Sequence, residues 1–236
     1  MEKTINRYQQ LIESISWDKA MKFEFEDFDD AILLSAPSAY VHDWNCNYLE
    51  IDNVPLEYIE ELNNMSVSSK NDLAGFLNYL EQNSSNGDYL EFVNCKENGI
   101  YPEIESEDGK YAFAKCCDYA LQFQPLVEDR GFIAWDSCET ISIIRMAFSC
   151  GIIDRNEAEM LIKPIWNNVV ELFADWKEYA ISFICGGAYE KYKNDGFGTG
   201  DFDEMAADKR FFDMVNVVKD LLDDSEYWGV SVYEGI

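Results

Sequence analysis

The chain has 236 residues, 47% of them hydrophobic and 15% aromatic, so it is long enough and apolar enough to bury a core and is not a disordered polymer. Its net charge is −28, from 46 acids against 18 bases, and the excess is shared: residues 1–118 carry −16 and residues 119–236 carry −12. A negative field spread over the whole chain repels nucleic-acid phosphates and anionic membrane surfaces, and attracts basic proteins.

The chain opens with polar residues and no apolar signal core, and its longest apolar stretches, such as 180–188, fall far short of the roughly 20 residues that span a bilayer. The expectation is a cytoplasmic protein with no membrane partner. Seven cysteines (46, 95, 116, 117, 138, 150 and 185) are odd in number and irregularly spaced, and two of them are adjacent. That pattern predicts buried reduced thiols rather than a disulfide framework.

Ile5, Tyr8, Leu11, Ile12 and Ile15 recur at helical spacing, so the first element is an amphipathic helix. Strict alternation over Lys22 to Asp29 predicts a half-buried strand with an acidic outer face. Pro55 starts a short helix to Leu62, and Ser69 caps another whose apolar face is Leu73, Phe76, Leu77 and Leu80. Asn86-Gly87 reads as a turn before a strand over Tyr89 to Val93. Residues 96–110 read as an exposed loop and 111–123 as a helix.

The second half is more plainly helical. Trp135, Cys138, Ile141, Ile144 and Phe148 share one face of a helix over 134–150, which Gly151 stops. Asp154 and Glu157 form a capping-box pattern for a helix to about Phe173. Asp175 caps a third helix, which Gly186-Gly187 interrupts or ends. Residues 194–200, with three glycines, read as a flexible connection to a last helix headed by Asp201, Asp203 and Glu204. A final strand is predicted over Tyr227 to Tyr233. The fold class expected is mainly α with a minor β component (α+β). One globular domain spans 1–236, mixed α/β over 1–125 and a helical bundle over 126–236.

Ala134-Trp135-Asp136, Gly151-Ile152-Ile153 followed by Glu157-Ala158, Asp175-Trp176-Lys177-Glu178-Tyr179, and Gly186 together resemble a bacterial family catalogued as domain of unknown function 1266, over residues 134–187. In that family a Trp-Asp pair opens one helix, a Gly-Tyr-Ile-like turn with Glu-Ala opens the next, and a Ser-Trp-Glu-like segment opens the third. Here Glu139 stands where the family often has Arg, Asp175 where it has Ser, and Gly187 where an Arg follows the closing Gly. The resemblance implies a helical C-terminal fold and brings no activity with it. Physically, Trp135 and Trp176 suit packing at helix starts, and Asp136, Glu157 and Asp175 suit capping of orphan N–H groups.

Chemistry-bearing patterns are sparse. The single histidine, His42, lies four residues before Cys46, but one short segment does not supply base, nucleophile and oxyanion hole together. No cysteine or histidine spacing suits zinc, and 195–204 does not follow the ligand order of a calcium loop. Gly196, Gly198 and Gly200 lack dinucleotide-loop spacing and lead into acids. No cofactor or metal is expected.

The expected function is therefore an acidic cytosolic binding protein. It is read as an inhibitor or immunity protein that neutralises a basic toxin, for example a nuclease, by protein–protein binding. The candidate partner-binding residues are Glu24, Glu26, Asp27, Asp29, Asp30, Asp201, Asp203 and Glu204, with Phe25, Phe28 and Phe202 as candidate anchors. The alternative is an enzyme of unknown reaction with a site around Trp135, Asp136, Glu157 and Trp176.

Overall fold

Five of the described helices start the same way: a short polar side chain takes an orphan backbone N–H, and apolar residues then recur every three or four positions. Ser69 caps Lys70–Gln82, Ser84 caps Ser85–Asn98, Ser106 caps Glu107–Ala120, Asp154 caps Arg155–Leu172 and Asp175 caps Trp176–Thr199. The computed structural model describes residues 2–20, 28–51 and 56–223. In chain order the helices are α1 (Glu2–Glu13), α2 (Phe28–Ile32), α3 (Ala36–Val41), α4 (Leu56–Asn64), α5 (Lys70–Gln82) and α6 (Ser85–Asn98). They continue with α7 (Glu107–Ala120), α8 (Gln124–Val127), α9 (Ile133–Ser149), α10 (Arg155–Leu172), α11 (Trp176–Thr199) and α12 (Glu204–Asp223).

Two helices form the axis. On α9 and α11 buried residues fall on every side, among them Cys138, Ile141, Ile144 and Arg145 on α9 and Tyr179, Phe183, Ile184 and Cys185 on α11. A helix apolar all round belongs in the middle of a domain. The other helices surround this pair: α10 packs on α9, α12 and α7 on α11, and α5 and α6 on α9. The N-terminal helices join the same core, with α1 and α3 against α12 and α2 against α10.

Among the described residues there is no strand, so the fold is mainly α and the minor β component is corrected. Tyr89 to Val93, expected as a strand, lies inside α6. Ser84 starts that helix where a turn at Asn86-Gly87 was expected, its Oγ accepting from the Gly87 N–H at 3.0 Å. Tyr89, Phe92 and Cys95 are buried while Leu90 is exposed, a three-residue rhythm that the β-prone composition hid. Of the strand expected over 22–29, residues 22–27 lie outside the described residues, and Phe28 and Asp29 belong to α2. The strand expected over Tyr227 to Tyr233 also lies outside the described residues. The loop expected over 96–110 shrinks to the stretch between Asn98 and Glu107.

Two glycine-rich stretches also differ from expectation. α11 runs unbroken through Gly186-Gly187 and on to Thr199. A Cβ on Gly186 would lie 2.5 Å from Trp135 Cβ, and one on Gly187 would lie 2.7 Å from both Met214 Sδ and Trp135 Cζ3. A Cβ on Gly196 would overlap the Phe202 ring. These glycines admit neighbouring side chains rather than break the helix. By contrast, Gly151 and Gly200 have φ of +73° and +72°, the left-handed conformation that closes α9 and α11.

Candidate functional site

One side of α9 carries the half-buried Trp135, Asp136, Glu139 and Thr140, with the buried Ile143 among them, at helical spacing. It forms the floor of a cleft of about 870 Å³, a size typical of ligand sites. α5 contributes a wall of Phe76, Leu77 and Leu80; α10 contributes Leu161 and Ile165; α11 contributes Glu190, Lys191 and Asn194. Ser85 and Asn86, at the start of α6, close one side.

Asp136 is fixed from both oxygens. Oδ1 accepts from the Ser85 N–H at 3.0 Å and Oδ2 from the Asn86 N–H at 2.9 Å. It thus caps α6 from a different helix, where the helix dipole favours negative charge. Desolvation still pushes its carboxyl up to about 7; the two amides pull the other way, and Glu190 and Asp88 add to the rise.

Glu190 is fixed as well. Ser85 Oγ donates to its Oε2 at 2.6 Å, Asn194 Nδ2 donates to its Oε1 at 3.1 Å, and Lys193 Nζ stands 3.9 Å away. Lys193 itself is committed to Asp88 at 2.8 Å, which also accepts from the Tyr189 hydroxyl at 2.7 Å. Desolvation disfavours the Lys193 charge, but the Asp88 hydrogen bond and the Glu190 and Asp88 charges outweigh it and its pKa rises.

Glu139 differs from both. It is half-buried and accepts no hydrogen bond and joins no ion pair among the described residues. Desolvation pushes its carboxyl up to about 7, and the charges of Glu190, Glu61 and Asp136 add to this against Lys191. Among the described residues the cleft lining holds Glu81, Asp136, Glu139 and Glu190 against the single base Lys191, which is exposed. What this arrangement offers chemically is a negative, partly desolvated floor between apolar walls.

Of the sequence-derived signature, Trp135 and Asp136 line the cleft, and Gly186 lets Trp135 lie close on α11. Glu157 and Trp176 are not in the lining. Glu157 completes the capping box of α10, its Oε2 accepting from the Asp154 N–H at 2.9 Å, and pairs with Lys70 at 2.6 Å. Trp176 is buried at the start of α11, edge-on to Tyr179. Gly151 ends α9.

The acidic candidates sit apart from the cleft. Glu24, Glu26 and Asp27, with Phe25, lie outside the described residues, and so do the side chains of Asp29 and Asp30 on α2. Asp201, Asp203 and Glu204 are exposed at the head of α12, where Asp203 Oδ1 accepts from the Met205 N–H at 2.9 Å. Phe202 is buried between Tyr111, Tyr192 and Phe197.

Glu139, Glu190, Ser85 and Asn86 escaped the sequence reading as site residues. A signal existed for the first: the acids at 136 and 139, with Thr140 beside them, form a polar stripe on a largely buried helix. Glu190 and Asn86 come from distant elements and left none.

Elsewhere, His42 is exposed and stacks on Trp44, while Cys46 is buried against the Ala36 and Trp44 carbonyls. No disulfide forms among the described residues, and no group of three or more His, Cys, Asp or Glu side chains among them is arranged to hold a metal ion. No helix among them is long and apolar enough to cross a membrane.

A family model described as "Protein of unknown function (DUF1266)" matches residues 56–233. That range contains every element lining the cleft and extends well beyond the stretch 134–187 that carried the resemblance. No curated protein and no solved structure matches the chain.

Proposed function

This chain belongs to the DUF1266 family, and we propose that it is an acidic cytosolic binding protein, an inhibitor or immunity protein that holds a basic protein such as a toxin domain. One observation carries the reading. The cleft floor presents Glu139, a half-buried carboxylate that joins no ion pair among the described residues, inside a chain of net charge −28. A buried charge without a counter-charge is costly, and a cationic group from a partner relieves that cost. The wider field speeds association and discriminates against acidic competitors. The exposed acids Asp201 and Glu204 add to that field without a cavity of their own.

The test uses the protein as bait in lysate of its own source, nuclease-treated, at low and moderate salt. The expected outcome is one basic protein retained stoichiometrically at both salts and lost when Glu139 and Glu190 are both changed to Gln. Retention of only a salt-labile mixture, indifferent to those changes, defeats the reading and leaves the charge as a solubility device.

A second reading, acid–base catalysis, rests on a separate observation: Asp136 and Glu139, one helical turn apart, both have carboxyls held up to about 7 in one cleft. Trp135 lines the same cleft beside them, whereas Glu157 and Trp176 face elsewhere. A turnover assay on a cleft ligand separates the two readings, since a binding protein leaves its ligand unchanged.

A further inference from the structure

Four carboxylates line the cleft: Glu81 stands exposed on α5, and of the three on or beside the α9 floor only Glu139 is without a hydrogen bond among the described residues. Both oxygens of Asp136 are taken by backbone amides, and both of Glu190 by Ser85 and Asn194. Glu139 has both oxygens uncommitted among the described residues, and it borders the cavity. Around it the walls are apolar: Phe76 and Leu77 from α5, Leu161 and Ile165 from α10. An occupant that satisfies both features has a cationic head and a hydrocarbon stem. Inorganic cations lack the stem, and among the described residues no cluster of ligands suits a metal.

We infer that the cleft is a binding site for an alkylammonium group, with Glu139 receiving the cation, Glu190 flanking it, and the α5 and α10 walls covering the alkyl chain. The inference rests on the reading of the cleft as the place where a basic partner is engaged, and it names the group that enters. A lysine side chain has this chemistry, and so has a free aliphatic amine. The groups facing Glu139 are Asp136 on its own helix, Glu61 from α4, and Glu190 and Lys191 from α11. The cation therefore meets three acids and one base beyond Glu139 itself. Binding makes the ionised form of Glu139 favourable, so near neutral pH it releases a proton from that carboxyl.

The experiment is calorimetry on the full chain with n-hexylamine, n-hexanol and hexanoate, which share a stem and differ in head group. Hexylamine is expected to bind one site at least about tenfold more tightly than hexanol, the scale of one charge-assisted hydrogen bond, with no heat from hexanoate. At pH 7, buffers of different protonation enthalpy are expected to reveal the released proton. Glu139→Gln brings amine and alcohol to within about twofold, whereas Glu91→Gln, on the exposed face of α6, changes nothing. Thermal melting confirms that both variants are folded. N-acetyl-lysine methylamide binding more tightly than hexylamine assigns the site to a protein lysine; the reverse order assigns it to a free amine.

Equal binding of hexylamine and hexanol by the unmodified protein overturns the inference, because the cleft is then merely apolar. A preference for the amine that survives Glu139→Gln overturns it too, because net charge is then the cause. Failure of hexylamine to bind while a basic partner still does sinks the alkylammonium site and spares the inhibitor reading; binding of hexylamine with no partner retained does the opposite.

Discussion

Asn86 and Asp136 exchange caps across two helices. The Asn86 N–H donates to Asp136 Oδ2 at 2.9 Å, while Asn86 Oδ1 accepts at 2.9 Å from the N–H of Phe132, just ahead of α9. Each residue thus satisfies the start of the other's helix. Beside them Gly131, at φ +52°, leaves the space Asn86 needs; a Cβ there would overlap Asn86 Oδ1 and lie 2.8 Å from Tyr89 Cδ1.

Asn86→Ala is expected to cost about 1–2 kcal/mol, the scale of a lost cap. Gly131→Ala is expected to cost more, since it combines a positive φ with a clash. The two are expected to be non-additive, the double variant losing less than the sum, because removing the Asn86 side chain removes part of the clash. Urea unfolding of all three variants measures this, and strict additivity contradicts the described packing.

The acid–base behaviour of Glu139 sets a pH dependence. Ordinary Glu carboxyls ionise near 4.3; this one is raised to about 7. Between those values the folded protein holds a proton that the unfolded chain has released. Its contribution to stability is therefore present at and below the unfolded value and lost as pH rises towards 7. One unit is 1.36 kcal/mol, so the loss for this group is at most about 4 kcal/mol. Glu139→Gln is expected to raise Tm more at pH 8 than at pH 5. An equal change in Tm at both pH values contradicts the desolvated state of this carboxyl.

At Gly186 and Gly187 the order of costs follows from what each Cβ meets. The neighbours of Gly186 are the Cβ atoms of Trp135 and Phe132, at 2.5 and 3.0 Å, which move only with the backbone. Gly187 meets Met214 Sδ, a flexible end, and the Trp135 ring. Gly186→Ala is expected to destabilise by about 2 kcal/mol or more and Gly187→Ala by less. Tryptophan fluorescence and chemical unfolding test the order, and a reversed order contradicts the packing of α9 on α11.

Arg145 is wholly buried, and its guanidinium gathers the segment that precedes α4. It donates to Ser35 Oγ at 3.0 Å, to the Asn45 carbonyl at 2.6 Å and side chain at 3.0 Å, and to the Tyr48 carbonyl at 2.8 Å. Nε finds no partner among the described residues, and desolvation lowers the pKa to about 10. Arg145→Met is expected to cost about 3 kcal/mol or more and to expose residues 42–51 to limited proteolysis. Arg145→Lys does not rescue, because an ammonium lacks the planar fork. Full protease resistance in Arg145→Met is the outcome that contradicts this role.

The helical second half was legible because its signals are local: Asp154 with Glu157, Asp175, and the apolar spacing of 135, 138, 141, 144 and 148 all act within a few residues. Tyr89 to Val93 misled because side-chain type and burial rhythm disagree there, and the core chose the rhythm. Gly186-Gly187 misled because a glycine pair looks the same whether it breaks a helix or admits a tryptophan.

The sequence by itself determined the charge, the caps and most of the helix starts, since those depend on residue identity and near neighbours. Only the tertiary structure decided that Asp136, Glu139 and Glu190 share a cleft while Glu157 and Trp176 do not. The physical reason is that the partners of Asp136 and Glu190 include the amides of Ser85 and Asn86 and the Ser85 hydroxyl, brought from 50 to 105 residues away along the chain, which leave Glu139 as the one of the three without a partner among the described residues.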